Sequence, residues 1–89
     1  VDVIGHSMEP TIPDGAVILV NRANKEPRDR MVFALRVGDE LFVKRLVNVK
    51  GEWLARSDNE DREQYPDLPL SSYQDVEILG RALWMGARL

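Results

Sequence analysis

The sequence predicts a mainly β domain, an antiparallel fold with short helical turns, on three observations. Short apolar runs rich in β-branched residues alternate with turn residues. No stretch carries apolar residues at i, i+3, i+4 and i+7 over three helical turns. The chain has 89 residues, enough for one hydrophobic core and too few for two. A composition of 44% apolar and 30% charged residues fits an ordinary globular protein and excludes disordered and fibrous classes.

The elements follow in order. Pro13-Asp14-Gly15 is a turn, because proline fixes φ, aspartate hydrogen-bonds its own backbone and glycine tolerates positive φ. Ala16 to Val20 is then a continuous apolar run, expected as a strand covered on both faces. Asn21 to Arg30 is a polar crossover. Met31 to Val37 is a second strand, and Gly38-Asp39 suits a two-residue hairpin that returns the chain as Glu40 to Val49. Lys50-Gly51 turns again, so Glu52 to Ser57 is a further antiparallel partner. Ser57 to Gln64 contains no apolar residue and Pro66 and Pro69 follow, which makes about 57 to 74 a long surface connection. Val76 to Leu89 is strand-like, with a bulge or bend expected at Gly80 and Gly86.

Several function classes drop out. Without cysteine there is no disulfide framework, thiolate nucleophile or cysteine-based zinc site, which fits a reducing cytosol and a cytoplasmic location. The longest apolar runs, Ala16 to Val20 and Ala82 to Ala87, fall far short of the ~20 residues of a membrane helix, so no membrane role is expected. A net charge of −3 lacks the positive field that drives non-specific nucleic-acid binding. The chain starts on Val1 rather than Met, so it reads as part of a longer protein, and any contact with DNA is expected to lie elsewhere in that protein.

The chemistry concentrates around Ser7, in Gly5-His6-Ser7-Met8-Glu9-Pro10-Thr11. An extended segment precedes Ser7 and a short turn follows, a place where strand becomes helix and backbone N–H groups are left free. A serine there is commonly just a cap. A nucleophilic serine needs a base, and His6, the only histidine, points to the opposite face as the immediate neighbour of Ser7 in extended chain. Lys44 is better suited. The period of two places it on one face with Phe42 and Leu46, where an apolar setting disfavours its charged form and makes it a usable base. The competing reading is a solvated lysine on an edge strand.

Gly5-x-Ser7-Met8-x-Pro10-Thr11, Asp14-Gly15 before an apolar strand, and Val43-Lys44-Arg45-Leu46 together resemble the carboxy-terminal domain of the LexA and phage-repressor group of Ser-Lys proteases, the S24 peptidases. The resemblance covers almost the whole chain. It implies a LexA- and signal-peptidase-like β fold, Ser7 as nucleophile and Lys44 as general base, with the backbone N–H groups of His6 and Ser7 as candidate oxyanion donors. It implies no cofactor or metal. It also implies a transcriptional repressor that dimerises, is fused to an amino-terminal helix-turn-helix DNA-binding domain, and cuts its own linker, with RecA on single-stranded DNA among the triggers of such cleavage in the SOS response. The Ala-Gly or Cys-Gly bond typical of that group does not occur in these residues, so the cleavage site is expected upstream. His6 stands where relatives often carry aspartate, and no catalytic duty is expected of its side chain.

Weaker features have plainer readings. Asp58, Glu60, Asp61 and Glu63 form an acidic patch without the spacing of an EF-hand loop, so a solvated loop is expected. Arg28, Arg30, Arg36 and Arg45 read as surface arginines. The last strand alternates Leu79, Arg81, Leu83 and Met85 against Ile78, Ala82 and Trp84, so one face meets the core and the other is available to a second subunit. Two other functions stay open: a non-catalytic repressor dimerisation module, and a protease acting in trans, because Ser7-Met8-x-Pro10-Thr11 and Lys44-Arg45 are also similar to signal peptidases.

Overall fold

A computed structural model describes residues 1–87, of which 84–87 are described by backbone alone. Six strands form one antiparallel sheet: β1 (Ala16–Asn21), β2 (Met31–Val37), β3 (Glu40–Val49), β4 (Glu52–Arg56), β5 (Leu68–Pro69) and β6 (Val76–Ala87), in the order β1-β6-β2-β3-β4-β5. The mainly β expectation is correct, and the helical content among the described residues is a 3-10 turn at Leu70–Ser72. None of these residues forms a helix long and apolar enough to cross a membrane.

Both tight hairpins form where the turn residues predict them. Val37 pairs with Glu40 across Gly38-Asp39, and Val49 with Glu52 across Lys50-Gly51. Lys50 and Gly51 both have positive φ, 52° and 84°, as the two-residue turn with matching twist demands. β3 is the central element, and its alternation divides the core. Val43 packs on one face with Val3, Met8, Ile12, Ala16 and Ile18. Leu46 packs on the other with Phe33, Leu35 and Ala55. Residues 1–12 thus lie over the first face, and the segment Leu68 to Leu70 over the second.

Three expectations need correction. β1 is buried on one face only: Ala16 and Ile18 are enclosed, whereas Leu19 is 59% exposed. Only the edge of β1 is occupied, by residues 1–3, with Val3 N–H donating to Ala16 O and Ile18 N–H to Val1 O, each at 2.8 Å. Next, the connection after β4 is not structureless, since Leu68 and Pro69 pair with Ala55 and Leu54. Finally, β6 runs unbroken to Ala87, and its irregularities fall near Gly80 and at Leu83 rather than at Gly86. Gly80 is required by close approach, because a Cβ there would lie 2.3 Å from the Asn21 carbonyl oxygen. Arg88 and Leu89, included in the expected last strand, lie outside the described residues, as do the side chains of Trp84 and Met85.

Candidate active site

Lys44 sits in the middle of β3, 8% exposed and on the face predicted from its spacing. Burial among apolar neighbours lowers its pKa from the ordinary lysine value. Its amine donates a 2.8 Å hydrogen bond to Ser57 Oγ. Ser57 is itself 2% exposed, and sequence reasoning missed it by treating the chain after β4 as surface. The signal was present in the second hairpin. The Lys50-Gly51 turn sets the register down to Arg45 opposite Arg56, which puts Ser57 opposite Lys44 one step beyond the last ladder pair.

Ser7 lies in a series of turns over residues 5–12 rather than at the start of a helix. Pro10 and Pro13 account for this, since each removes a donor and disfavours helical geometry in the residue before it. Glu9 N–H bonds His6 O at 3.2 Å, and Ile12 N–H bonds Met8 O at 2.8 Å. Gly5, at φ 95°, allows the chain to enter the turn, and its N–H is fixed by Asp14 Oδ1 at 2.7 Å. Met8, fully enclosed in the core, anchors the residue after Ser7.

A second strap comes from the connection read as a solvated acidic loop. Asn59 N–H donates to Ser7 O and Asn59 Nδ2 to His6 O, both at 2.9 Å. Asp58 N–H reaches the Met8 thioether at 3.4 Å. Arg62 holds the carbonyls of Ser57 and Asn59 at 2.8 and 3.0 Å. Asp58 is not free acid on a patch, because Arg45 grips both its oxygens at 2.8 Å and holds its carboxyl below the usual range. Arg45 and Arg36 are therefore more than surface arginines, the latter pairing with Glu77 at 2.8 Å. Periodicity carries no information about such a strap, because it is made by irregular backbone.

The structure brings Ser7 and Lys44 to the wall of one cavity of about 60 Å³, bounded by Val1 to Ile4 on one side and Leu41 to Val43 on the other. It does not join them, since the hydrogen bond made by the amine is to Ser57. Ser7 is half-buried and open to solvent where Ser57 is not. Among the described residues no backbone carbonyl accepts from the N–H of His6 or Ser7. The His6 ring is exposed and engages Glu9, and because residues 5–12 form turns, the extended-chain alternation expected for His6 and Ser7 does not apply. One further feature matters for a ligand. β3 pairs with β4 only from Arg45 onward, so Glu40 to Lys44 present an edge without a strand partner on that side.

A half-buried hydroxyl, a buried amine of weakened basicity and an unpaired strand edge are the kinds of group that serine-lysine chemistry on an extended peptide would need. Comparison with known proteins shows the family. The family model described as Peptidase S24-like matches residues 1–83. The repressor protein CI of Enterobacteria phage phi80 is 41% identical over 81 residues, which is 90% of this chain and 33% of that protein. An uncharacterized HTH-type transcriptional regulator of Haemophilus influenzae is 31% identical over 88 residues, 96% of this chain and 36% of that protein. The chain thus spans about a third of the length of these curated relatives. It is a repressor-related domain and belongs to the S24-like peptidase family.

Proposed function

We propose that this chain is the carboxy-terminal, self-cleaving and dimerising domain of a transcriptional repressor, with Ser7 as nucleophile and Lys44 as general base. The observation that carries the reading is the buried, weakened amine of Lys44 lining the same cavity as a half-buried serine. Neutral Lys44 takes the proton of Ser7 Oγ as that oxygen attacks the linker carbonyl, and the resulting ammonium returns it to the departing amine. The N–H groups of His6 and Ser7 hold the oxyanion, each worth ~3 kcal/mol in related acyl transfers. Ser57, too deeply enclosed for a peptide to reach, serves as the resting partner of the amine. To act on Ser7 the lysine stem turns away from Ser57, a rearrangement that its four-carbon flexibility allows. DNA is bound through an amino-terminal domain of the parent protein, RecA is a trigger candidate, and the location is cytoplasmic.

The Lys44–Ser57 hydrogen bond also favours a second reading, a dimerisation module that keeps the fold without cutting. The parent protein separates the two. On the leading reading it cleaves itself faster as pH rises, because only the neutral amine is a base, and burial brings that rise in below the ordinary lysine pKa. Ser7→Ala or Lys44→Ala slows cleavage by about 10⁴-fold or more, measured by gel and mass spectrometry. An intact wild-type parent between neutral and alkaline pH supports the module instead.

A further inference from the structure

A cavity of about 250 Å³ opens where the connection between β1 and β2 meets β6. Asn24, Lys25, Glu26 and Arg28 line it from that connection, Arg81 from β6 and Phe33 from β2. It shares no lining residue with the cavity of Ser7 and Lys44. Three of its side chains are cations and one is an anion, on a chain whose net charge is −3. Arg36, Arg45 and Arg56 each pair with a carboxylate, whereas Lys25, Arg28 and Arg81 form no ion pair among the described residues. Arg81 is half-buried, and the hydrogen bond it makes is to the Met31 thioether at 3.2 Å, a weak acceptor that leaves most of the guanidinium fork unused. Glu77, within electrostatic reach of Lys25 and Arg22, is held by Arg36 at 2.8 Å. The backbone that carries these cations is fixed on both sides. Arg81 pairs in register with Asn21 of β1 and Phe33 of β2. The connection is tied at its start by Ala23 N–H to Asn21 Oδ1 at 3.0 Å, and at its end by Arg30 N–H to Leu46 O at 2.7 Å.

We propose that this cavity binds a phosphate group, held by the guanidinium groups of Arg28 and Arg81 and by the ammonium of Lys25. A guanidinium presents paired donors that match two oxygens of one oxyanion, and an ammonium adds a compact point charge. Phosphate suits this donor set better than a carboxylate, because its three free oxygens accept from three cations at once. Glu26 on the same wall opposes any anion, so its charge limits the affinity. The volume falls short of the roughly 300–1,000 Å³ of clefts that enclose a drug-sized molecule, so one compact group enters rather than a whole large ligand. Two sources offer such a group, a small phosphate ester and the backbone of a nucleic acid. The net negative charge favours the small ester, because a long polyanion also meets the acidic remainder of the chain. This inference stands apart from the peptide-cleaving reading, since neither Ser7 nor Lys44 takes part in it.

The test titrates this chain, isotope-labelled for magnetic resonance, with inorganic phosphate, with a nucleoside monophosphate and with a short DNA duplex. Ionic strength is held constant with chloride, and binding is read from amide and arginine side-chain shifts. Saturable changes at Lys25, Arg28 and Arg81 with the first two probes are the expected result. Arg28→Gln, on the exposed connection, weakens binding by about tenfold through loss of a charge-assisted contact. Glu26→Gln tightens it by about threefold, a gain that damage to the fold does not imitate. DNA that binds no more tightly per phosphate than the nucleoside monophosphate assigns the cavity to small esters. DNA that binds more tightly through the same three cations assigns it to the nucleic-acid backbone. Shift changes matched by chloride alone or confined to other surfaces, or an affinity indifferent to both substitutions, overturn the proposal.

Discussion

At the scale of single residues, the amine of Lys44 is the group on which the proposed chemistry turns, and its immediate partner is Ser57 rather than Ser7. Apolar burial sets the basicity of the amine; the Ser57 hydroxyl sets where it rests. Removing that hydroxyl leaves the amine without an acceptor in a dry setting and free to adopt unproductive rotamers. Ser57→Ala is therefore expected to slow self-cleavage of the parent by about 10- to 100-fold through misplacement of the base. Ser57→Thr, which keeps the hydroxyl, restores most of the rate. A pH–rate profile distinguishes this from a fold defect, since the rise with pH survives in Ser57→Ala at lower amplitude and vanishes in Lys44→Ala. A Ser57→Ala rate equal to wild type would remove Ser57 from the site.

At the scale of elements, the two hairpins carry the register and the irregular segments carry the site. Gly38-Asp39 and Lys50-Gly51 fix how β2, β3 and β4 align, and the positions of Lys44 and Ser57 follow from that alignment alone. The close passage of β6 by the end of β1 is a second constraint, centred on Gly80. Gly80→Ala pushes a methyl group into the Asn21 carbonyl, which is backbone and cannot rotate away. The expected cost is about 2–4 kcal/mol of unfolding free energy, read from urea midpoints at constant slope. An unchanged midpoint would mean that β1 and β6 separate at little cost. These elements were legible from turn chemistry and the period of two. The burial of β1 was not, because alternation says which residues share a face but not whether another layer exists to cover it.

At the scale of the whole molecule, Leu19 and Leu83 remain 59% and 53% exposed on β1 and β6, neighbours in the sheet. Both lie on the face opposite Ile18 and Ala82, which turn toward the core. In the proposed dimer this outer face is the one available to a second copy. Leu83→Lys is expected to weaken self-association of the parent by at least about tenfold in sedimentation equilibrium while leaving the thermal midpoint of the monomer nearly unchanged. Association indifferent to that change places the dimer contact elsewhere. By itself the sequence determined the fold class, the two tight hairpins with the strands they join, and the candidacy of Ser7 and Lys44, because these depend on local propensity, alternation and motif spacing. Only the tertiary structure decided that Asn59 straps the Ser7 turn, that Ser57 takes the lysine's hydrogen bond, and that β3 keeps half an edge unpaired. Those facts arise from residues far apart in the chain meeting through irregular backbone, where no period in the sequence records which donor will find which acceptor.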